Sequence, residues 1–191
     1  MREVPQGEPT QPWQGFLRDL DAALTAPVEL VCLGGFVVAL AYGAGRATSD
    51  IDVLLVRAEG TDNVEMIAGL GSGLHRRHRL YLQYVGIATP PANYVSRLRP
   101  LGSHAPWRRL RLSVLDPIDL ALTKVERNAE VDRRDLIALA RAGWLDAAIF
   151  RARYAAEVAP YLLAHHLRHD DTAESFAGLI EASSPDGTSK R

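Results

Sequence analysis

The sequence predicts an α/β (α+β) fold, with a small mixed sheet flanked by helices and then a C-terminal helical half. Short apolar runs between Gly and Pro residues, which are typical of strands, occur from residue 28 to residue 115. Beyond Asp116 the apolar residues recur at helical spacing instead. We therefore expect a flexible N-terminus (1–12), an α/β core (13–115), a helical part packed on that core (116–182) and a disordered tail (183–191).

Composition is that of one globular domain, or of a compact domain with a small appendage, at 191 residues. A net charge of −1 gives no global reason to expect nucleic acid or membrane, and no apolar run is long enough to span a membrane. Cys32 is the single cysteine, which excludes a disulfide within the chain and fits a reducing compartment. Because residues 1–14 also lack the apolar core of a signal peptide, we expect a cytoplasmic protein with no membrane partner.

The first half of the chain contains a helix and then a stretch around which the rest is arranged. Apolar residues at helical spacing predict a helix over Trp13–Leu24, and Pro27 marks its end. The stretch VELVCLGGFVVALAYGAGRATSDIDVLLV, residues 28–56, then predicts a strand, a Gly turn, a helix over Phe36–Tyr42, a loop and a second strand.

Further elements follow at regular intervals. We expect a helix over Thr61–Leu70, a strand over Arg79–Ile87, a loop broken by Pro90, Pro91 and Pro100, and a fourth strand over Arg108–Leu115. Asp116-Pro117 is typical of a helix start. Gly143 is expected to separate two later helices, and Pro160 to bend or interrupt another.

Two carboxylates, Asp50 and Asp52, open the second strand. Residues i and i+2 of a strand face the same side, so these groups would lie roughly 6 Å apart and repel by about 3 kcal/mol. Mg²⁺ (or Mn²⁺) carrying a substrate phosphate would neutralise both carboxylates. The alternative is a solvated strand end at which Asp simply terminates the sheet.

Gly34–Gly35 precede these carboxylates and are neither a P-loop nor a dinucleotide fingerprint. The pair is either a plain tight turn or bare backbone that lets a triphosphate approach the following helix. Arg46 and Thr48 lie just before the carboxylates. Arg46 would either bind a phosphate or pair with Asp50 to hold the loop.

The pattern GG…YG…R.T.DID resembles the nucleotidyltransferase superfamily, and in particular the AbiEii-like toxins and the related bacterial DUF6036 proteins. This resemblance implies a nucleotidyltransferase-like core that moves a nucleoside monophosphate from an NTP to an acceptor hydroxyl. It also implies Mg²⁺ at Asp50 and Asp52, triphosphate contacts from Gly34, Gly35 and Thr48, an RNA or tRNA acceptor, and an antitoxin protein as partner.

A second segment, Lys124…Arg127…Asp132..Asp135-Leu, is similar to the part of AbiEii-like proteins that follows the carboxylate pair. The resemblance makes Lys124 a triphosphate ligand and Asp132 or Asp135 a catalytic or orienting acid. The alternative is a surface network of ion pairs, each worth little.

One position departs from the family pattern. Many nucleotidyltransferases carry a third carboxylate on a later strand, whereas the matching strand here, RLYLQYVGI, offers Gln83 and no acid. Either Asp132 or Asp135 supplies the third group, or the nucleophile needs no dedicated base, or the protein binds nucleotide without catalysis. An enzyme acting on a small molecule or a protein hydroxyl is a further alternative.

Residues 66–115 contain no Asp or Glu but eight arginines. Clustering of these arginines beside the carboxylates, with Trp107 and Tyr94 to stack bases, would favour a nucleic-acid acceptor. Scatter over several faces would favour a small acceptor. The eight are Arg76, Arg77, Arg79, Arg97, Arg99, Arg108, Arg109 and Arg111.

Overall fold

The structure, a computed structural model, describes residues 3–86, 88–162 and 166–185. The chain divides into two compact units. The described part of the sheet unit is 3–41, Arg46–Gly86 and Leu98–Leu115, and that of the helical unit is Tyr42–Gly45, 88–97 and the chain from Asp116 onward.

The sheet unit contains a mixed five-stranded sheet, which confirms the predicted α/β class. Its strands are β1 (Val28–Leu33), β2 (Asp50–Ala58), β3 (Tyr81–Tyr84), β4 (Arg99–Leu101) and β5 (Leu110–Val114), in the order β3-β2-β1-β5-β4. Strand β1 is antiparallel to β2 and parallel to β5. At the two edges, β3 pairs parallel with β2 and β4 pairs antiparallel with β5.

Helix α1 (Trp13–Ala23) forms where apolar spacing predicts it, and its Phe16, Leu17 and Leu20 are fully buried. The central strand β1 is buried along almost its whole length because it lies between β2 and β5. Val4 is buried too, and the backbone carbonyl of Pro5 accepts a hydrogen bond from the Gly102 N–H at 3.1 Å. These contacts join the first described residues to the sheet unit.

The Gly turn leads directly into a short helix, α2 (Gly34–Phe36), which continues as a π-helical turn over Val37–Ala41. The predicted helix therefore exists, begins two residues early and is wider than an α-helix. Its side chains Phe36, Val37 and Val38 are fully buried, and the Phe36 ring meets Trp13 edge-on with centroids 4.9 Å apart. Packing against α1 fixes this segment immediately after β1.

The helix predicted over 61–70 was wrong in extent: the chain forms α3 (Val64–Ala68) and a separate α4 (Gly73–His78). Asp62 cannot open the first of these helices because its carboxylate accepts the Thr25 N–H at 2.7 Å and the Thr25 hydroxyl at 2.8 Å. Asn63 caps α3 in its place, and Ser72 caps α4.

The strand predicted over 79–87 is shorter than expected and begins at Tyr81. Arg79 ends α4 in the left-handed conformation, with φ of 60°, and so cannot extend the strand. Ile87 lies outside the described residues. The next segment was predicted as a loop because of its three prolines, but it contains strand β4, and Pro100 lies within that strand. An edge strand tolerates proline, which lacks an N–H to donate.

The helical unit consists of α5 (Pro117–Leu122), α6 (Glu130–Arg141), α7 (Ala147–Glu157), a 3₁₀ turn (Ala159–Tyr161) and α8 (His166–Ser183). Asp116 caps α5 as predicted, accepting the Ile118 N–H at 3.1 Å. Gly143 separates α6 from α7, and Pro160 lies in the 3₁₀ turn. Residues 186–191 of the predicted tail lie outside the described part of the chain. Over the described residues, none of the helices has the length and apolarity needed to cross a membrane.

Candidate functional site

The sheet unit places Asp50 and Asp52 at the first and third positions of β2, and both are half-buried. The intervening Ile51 and the following Val53 are almost fully buried, because they point to the opposite face. Asp52 lies opposite Leu33 of β1, the residue immediately before the Gly turn. The carboxylate pair and the Gly turn are therefore neighbours in space as well as in sequence.

The Asp52 carboxylate lies so close to Gly34 that it leaves no room for a side chain there. Its φ of +72° is a left-handed value, and a Cβ built there would lie 1.9 Å from the Asp52 Oδ2 and 2.8 Å from its Cγ. Gly35 is different, since a Cβ there would meet the Thr48 Cβ at an ordinary 3.6 Å. Only the first glycine of the pair is required for the Asp52 carboxylate to occupy its position.

Thr48 and Arg46 behave differently beside the carboxylates. The Thr48 hydroxyl donates a hydrogen bond to the Asp50 Oδ1, which fixes one oxygen of the pair. Arg46 is exposed, and within the described chain its guanidinium forms no ion pair with Asp50. The geometry does not show the loop-holding pair that was one of the two interpretations of Arg46.

Cys32 lies in β1 opposite Val53 and is fully buried. Burial raises the pKa of the Cys32 thiol well above its ordinary value, and the negative charge of Asp52 raises it further. The thiol therefore stays protonated and acts as a small apolar group behind the carboxylate pair.

Gln83 occupies the position beside Asp52 on β3, as the sequence predicted, and Tyr81 lies beside Asp50. Among the residues that the structure describes, no three His, Cys, Asp or Glu side chains group together to hold a metal ion. The chain thus offers two carboxylates from β2. This hard-oxygen pair fits Mg²⁺, which keeps several waters and takes its remaining ligands from substrate phosphate.

Lys124 belongs to the helical unit, where it follows α5 and is buried, with 5% of its surface exposed. Its Nζ lies 2.8 Å from the Asp135 Oδ2 and 3.2 Å from the Asp132 Oδ1. The network considered from the sequence is thus present, but its Lys124, Asp132 and Asp135 are buried rather than on the surface.

Asp132 is fully buried at the start of α6 and accepts hydrogen bonds from Arg127 Nε at 2.8 Å and the Ala129 N–H at 3.0 Å. Burial by itself raises the pKa of this carboxyl, but Arg127 and Lys124 outweigh it and hold the pKa below the ordinary value. The two cations of this cluster, Lys124 and Arg127, balance its two carboxylates, Asp132 and Asp135.

Sequence reasoning missed a second buried network in the helical unit. Asp119 is fully buried and binds both Arg97, at 2.9 Å, and Arg153, at 2.7 Å. Glu157 contacts Arg97 at 2.7 Å, and Asp116 contacts Arg153 at 2.8 Å. The local signal was only an Asp within an apolar helix, since its partners come from distant parts of the sequence.

The eight arginines do not share one surface. Arg97 is neutralised inside the helical unit, while the other seven belong to the sheet unit. Three of these lie in or just after α4, which precedes edge strand β3, and four lie in or beside β4 and β5 at the opposite edge. The scatter is the outcome that favours a small acceptor.

A family model described as "Nucleotidyltransferase of unknown function (DUF6036)" matches residues 17–177. No curated protein and no solved structure gives a significant match to the chain. The matched range includes the Gly turn, both carboxylates of β2 and the Lys124 cluster.

Proposed function

The chain belongs to the DUF6036 family of nucleotidyltransferases, and from this premise we propose that it transfers a nucleoside monophosphate from an NTP to an acceptor hydroxyl. The observation that carries the proposal is the pair Asp50 and Asp52, with a backbone at Gly34 that leaves room for the Asp52 carboxylate and for no side chain. A solvated strand end would need no such fit.

In this proposal Asp50 and Asp52 hold Mg²⁺ (or Mn²⁺). When bound, the ion would neutralise the carboxylates and the triphosphate charge. Thr48 fixes Asp50, and the Gly34–Gly35 backbone with Arg46 contacts the phosphates. The acceptor oxygen forms a bond to the α-phosphorus, the bond to the bridging oxygen breaks, and pyrophosphate leaves. The hydroxyl proton passes to water, since β3 presents Gln83 beside Asp52.

Lys124 and Asp132 either act on the substrate or hold the fold together. As a triphosphate ligand, Lys124 would have to leave Asp132 and Asp135, and as a catalytic acid, Asp132 would have to leave three donors. Their buried, charge-balanced contacts favour a role in holding the α5–α6 junction together. A catalytic role would require Asp132→Asn to abolish turnover in a protein of unchanged stability.

The acceptor hydroxyl belongs to an RNA, to a small molecule or to a protein. An RNA or tRNA acceptor, with an antitoxin partner, rests only on the resemblance to AbiEii-like toxins. The scatter of the arginines over both sheet edges favours a small-molecule or protein hydroxyl instead. We also propose a cytoplasmic location, where an enzyme that uses NTP would find its donor.

Gln83 supports a second candidate, a module that binds Mg²⁺–NTP without turnover, because an amide cannot accept the acceptor's proton as a carboxylate does.

The test incubates the protein with Mg²⁺ and each α-labelled NTP, in the presence of total RNA, of a small-metabolite extract or of protein extract. The control is Asp50→Asn/Asp52→Asn, which keeps side-chain size and removes both charges. Label in one acceptor fraction only with the unaltered protein would support transfer and identify the acceptor class. NTP binding that is lost in this double variant, without label in any fraction, would favour the binding module. Absence of binding would refute both.

A further inference from the structure

We propose that the sheet unit has a second ligand site, distinct from Asp50 and Asp52, that binds a small phosphate monoester carrying a planar ring. The site is a cavity of about 460 Å³ beside β5, within the size range of small-molecule pockets. Residues from β1, β5 and the β4–β5 connection line it, including Glu29, Trp107, Arg108, Arg111 and Ser113. The proposal stands independently of the nucleotidyl transfer proposed above.

A row of charged residues crosses the sheet at this cavity. Arg57 of β2 and Arg111 of β5 lie opposite Glu29 of β1 on its two sides. Arg57 Nη1 donates to the Glu29 Oε2 at 2.9 Å, and the Ser113 hydroxyl donates to the Glu29 Oε1 at 2.5 Å. The Ser113 hydrogen bond, and then Arg57 and Arg111, hold the pKa of Glu29 below its ordinary value, so the carboxylate is charged.

This row carries a surplus of positive charge. Both oxygens of Glu29 are occupied by Ser113 and Arg57, and the Arg111 guanidinium, although it faces Glu29, forms no ion pair within the described chain. Arg108 adds a second guanidinium at the cavity that is likewise unpaired among the described residues. Two guanidiniums facing one cavity are suited to bidentate contacts with a phosphate.

Another part of the cavity wall, at Gly102 and Trp107, is held in place. A Cβ on Gly102, whose φ is +66°, would lie 3.0 Å from the Trp107 ring atoms Cη2 and Cζ3, so the indole packs directly on the glycine backbone. The Asp21 carboxylate accepts the backbone N–H groups of residues 108–110 at 2.7–3.1 Å. Trp107 therefore lines the cavity with an indole whose Cη2–Cζ3 edge is held against Gly102, and a planar ring can pack on the part of it that lines the cavity.

The cavity and the carboxylate pair share one face of the sheet but are separate. Asp52 lies opposite Leu33 and Arg57 opposite Glu29, and these β1 residues are four positions apart, or roughly 13 Å. A ligand of nucleoside-monophosphate size held at Arg111 would not coordinate at Asp52. Because three of the seven sheet-unit arginines lie at the other edge, the observations favour a small ligand over a nucleic-acid strand.

The test measures binding of AMP, ribose 5-phosphate, adenosine and a single-stranded oligonucleotide to the full chain by calorimetry, in EDTA so that no metal contributes. We expect AMP to bind, and ribose 5-phosphate and adenosine to bind more weakly. Arg111→Gln should weaken AMP binding at least tenfold, and Arg108→Gln should weaken it by a smaller factor. Both residues are exposed, so both variants should fold with an unchanged melting temperature.

Two controls make the result specific. Arg76→Gln removes an exposed arginine from α4, at the other edge of the sheet, and should leave AMP binding unchanged. Asp50→Asn/Asp52→Asn should also leave it unchanged in EDTA, whatever it does to NTP transfer. The proposal is overturned by absence of AMP binding at millimolar concentration, by equal losses in Arg111→Gln and Arg76→Gln, by dependence on the Asp pair, or by an oligonucleotide that binds more tightly than AMP.

Discussion

Gly34→Ala should disable the carboxylate pair more than it destabilises the fold. An alanine at φ +72° costs about 1–2 kcal/mol of unfolding free energy, because its Cβ crowds the neighbouring carbonyl. That is a fall in melting temperature of about 2–8 °C for a chain of this size. The new methyl would also stand 1.9 Å from the Asp52 Oδ2, against a shortest normal contact of about 3.0 Å, so the carboxylate must move by roughly 1 Å.

Such a displacement matters because Mg²⁺ demands nearly ideal octahedral geometry. We expect calorimetry to show at least a tenfold loss of Mg²⁺–NTP affinity, together with loss of any transfer activity. Gly35→Ala is the matched control: its Cβ would meet Thr48 at 3.6 Å without overlap, and alanine favours a helix over glycine by up to about 1 kcal/mol. If the two variants bound Mg²⁺–NTP equally well, the inferred fit between Gly34 and Asp52 would be refuted.

Variants at three further positions test the remaining contacts. Thr48→Val removes the hydrogen bond to Asp50 and should lower Mg²⁺ affinity several-fold in calorimetry, whereas Thr48→Ser should restore it; failure of the serine to do so would contradict the positioning role. Asp132→Asn removes one of the two carboxylates that pair with the buried Lys124, leaving Asp135, and should lower the unfolding free energy by about 1–3 kcal/mol in urea titrations. Because the folded-state pKa of Asp132 is lowered, its stabilisation is present above about pH 4 and lost as the pH falls further, a slope that the variant should lack. If the protein lacks a general base on β3, Gln83→Glu should supply one, and turnover of this variant should exceed that of the unaltered protein increasingly as the pH rises. An unchanged rate–pH profile would exclude a missing base as the effect of Gln83.

The parts of the protein that follow from short-range patterns could be predicted. Asp50 and Asp52 share a face because they are two apart on a strand, and Asp116-Pro117 opens α5 because both residues satisfy a helix N-terminus. Strand β4 could not be predicted, since Pro100 is acceptable only at an edge and the sequence does not reveal which strand is at the edge.

The burial of the charged clusters could not be predicted, for a different reason. The sequence allowed Lys124, Asp132 and Asp135 to form a network of ion pairs at the surface, and only tertiary packing decides that these side chains are excluded from water. The partners of Asp119 are still harder to predict, because Arg97 and Arg153 lie 22 and 34 residues away along the chain. Charge pattern alone therefore predicts pairing better than it predicts burial.

The position of Cys32 makes its thiol a built-in probe of how often the central strands separate. A thiol that is fully buried in the central strand reacts with an alkylating reagent only when the sheet opens, so its labelling rate measures how often β1 and β2 separate. It is the only thiol in the chain, so no background labelling competes. Cys32 pairs with Val53, which directly follows Asp52. A ligand that binds to the carboxylates should therefore stabilise this strand pair and slow the alkylation of Cys32 as the bound fraction of the protein increases. Thiol exchange could therefore follow metal and nucleotide binding without an added probe and before any acceptor is known.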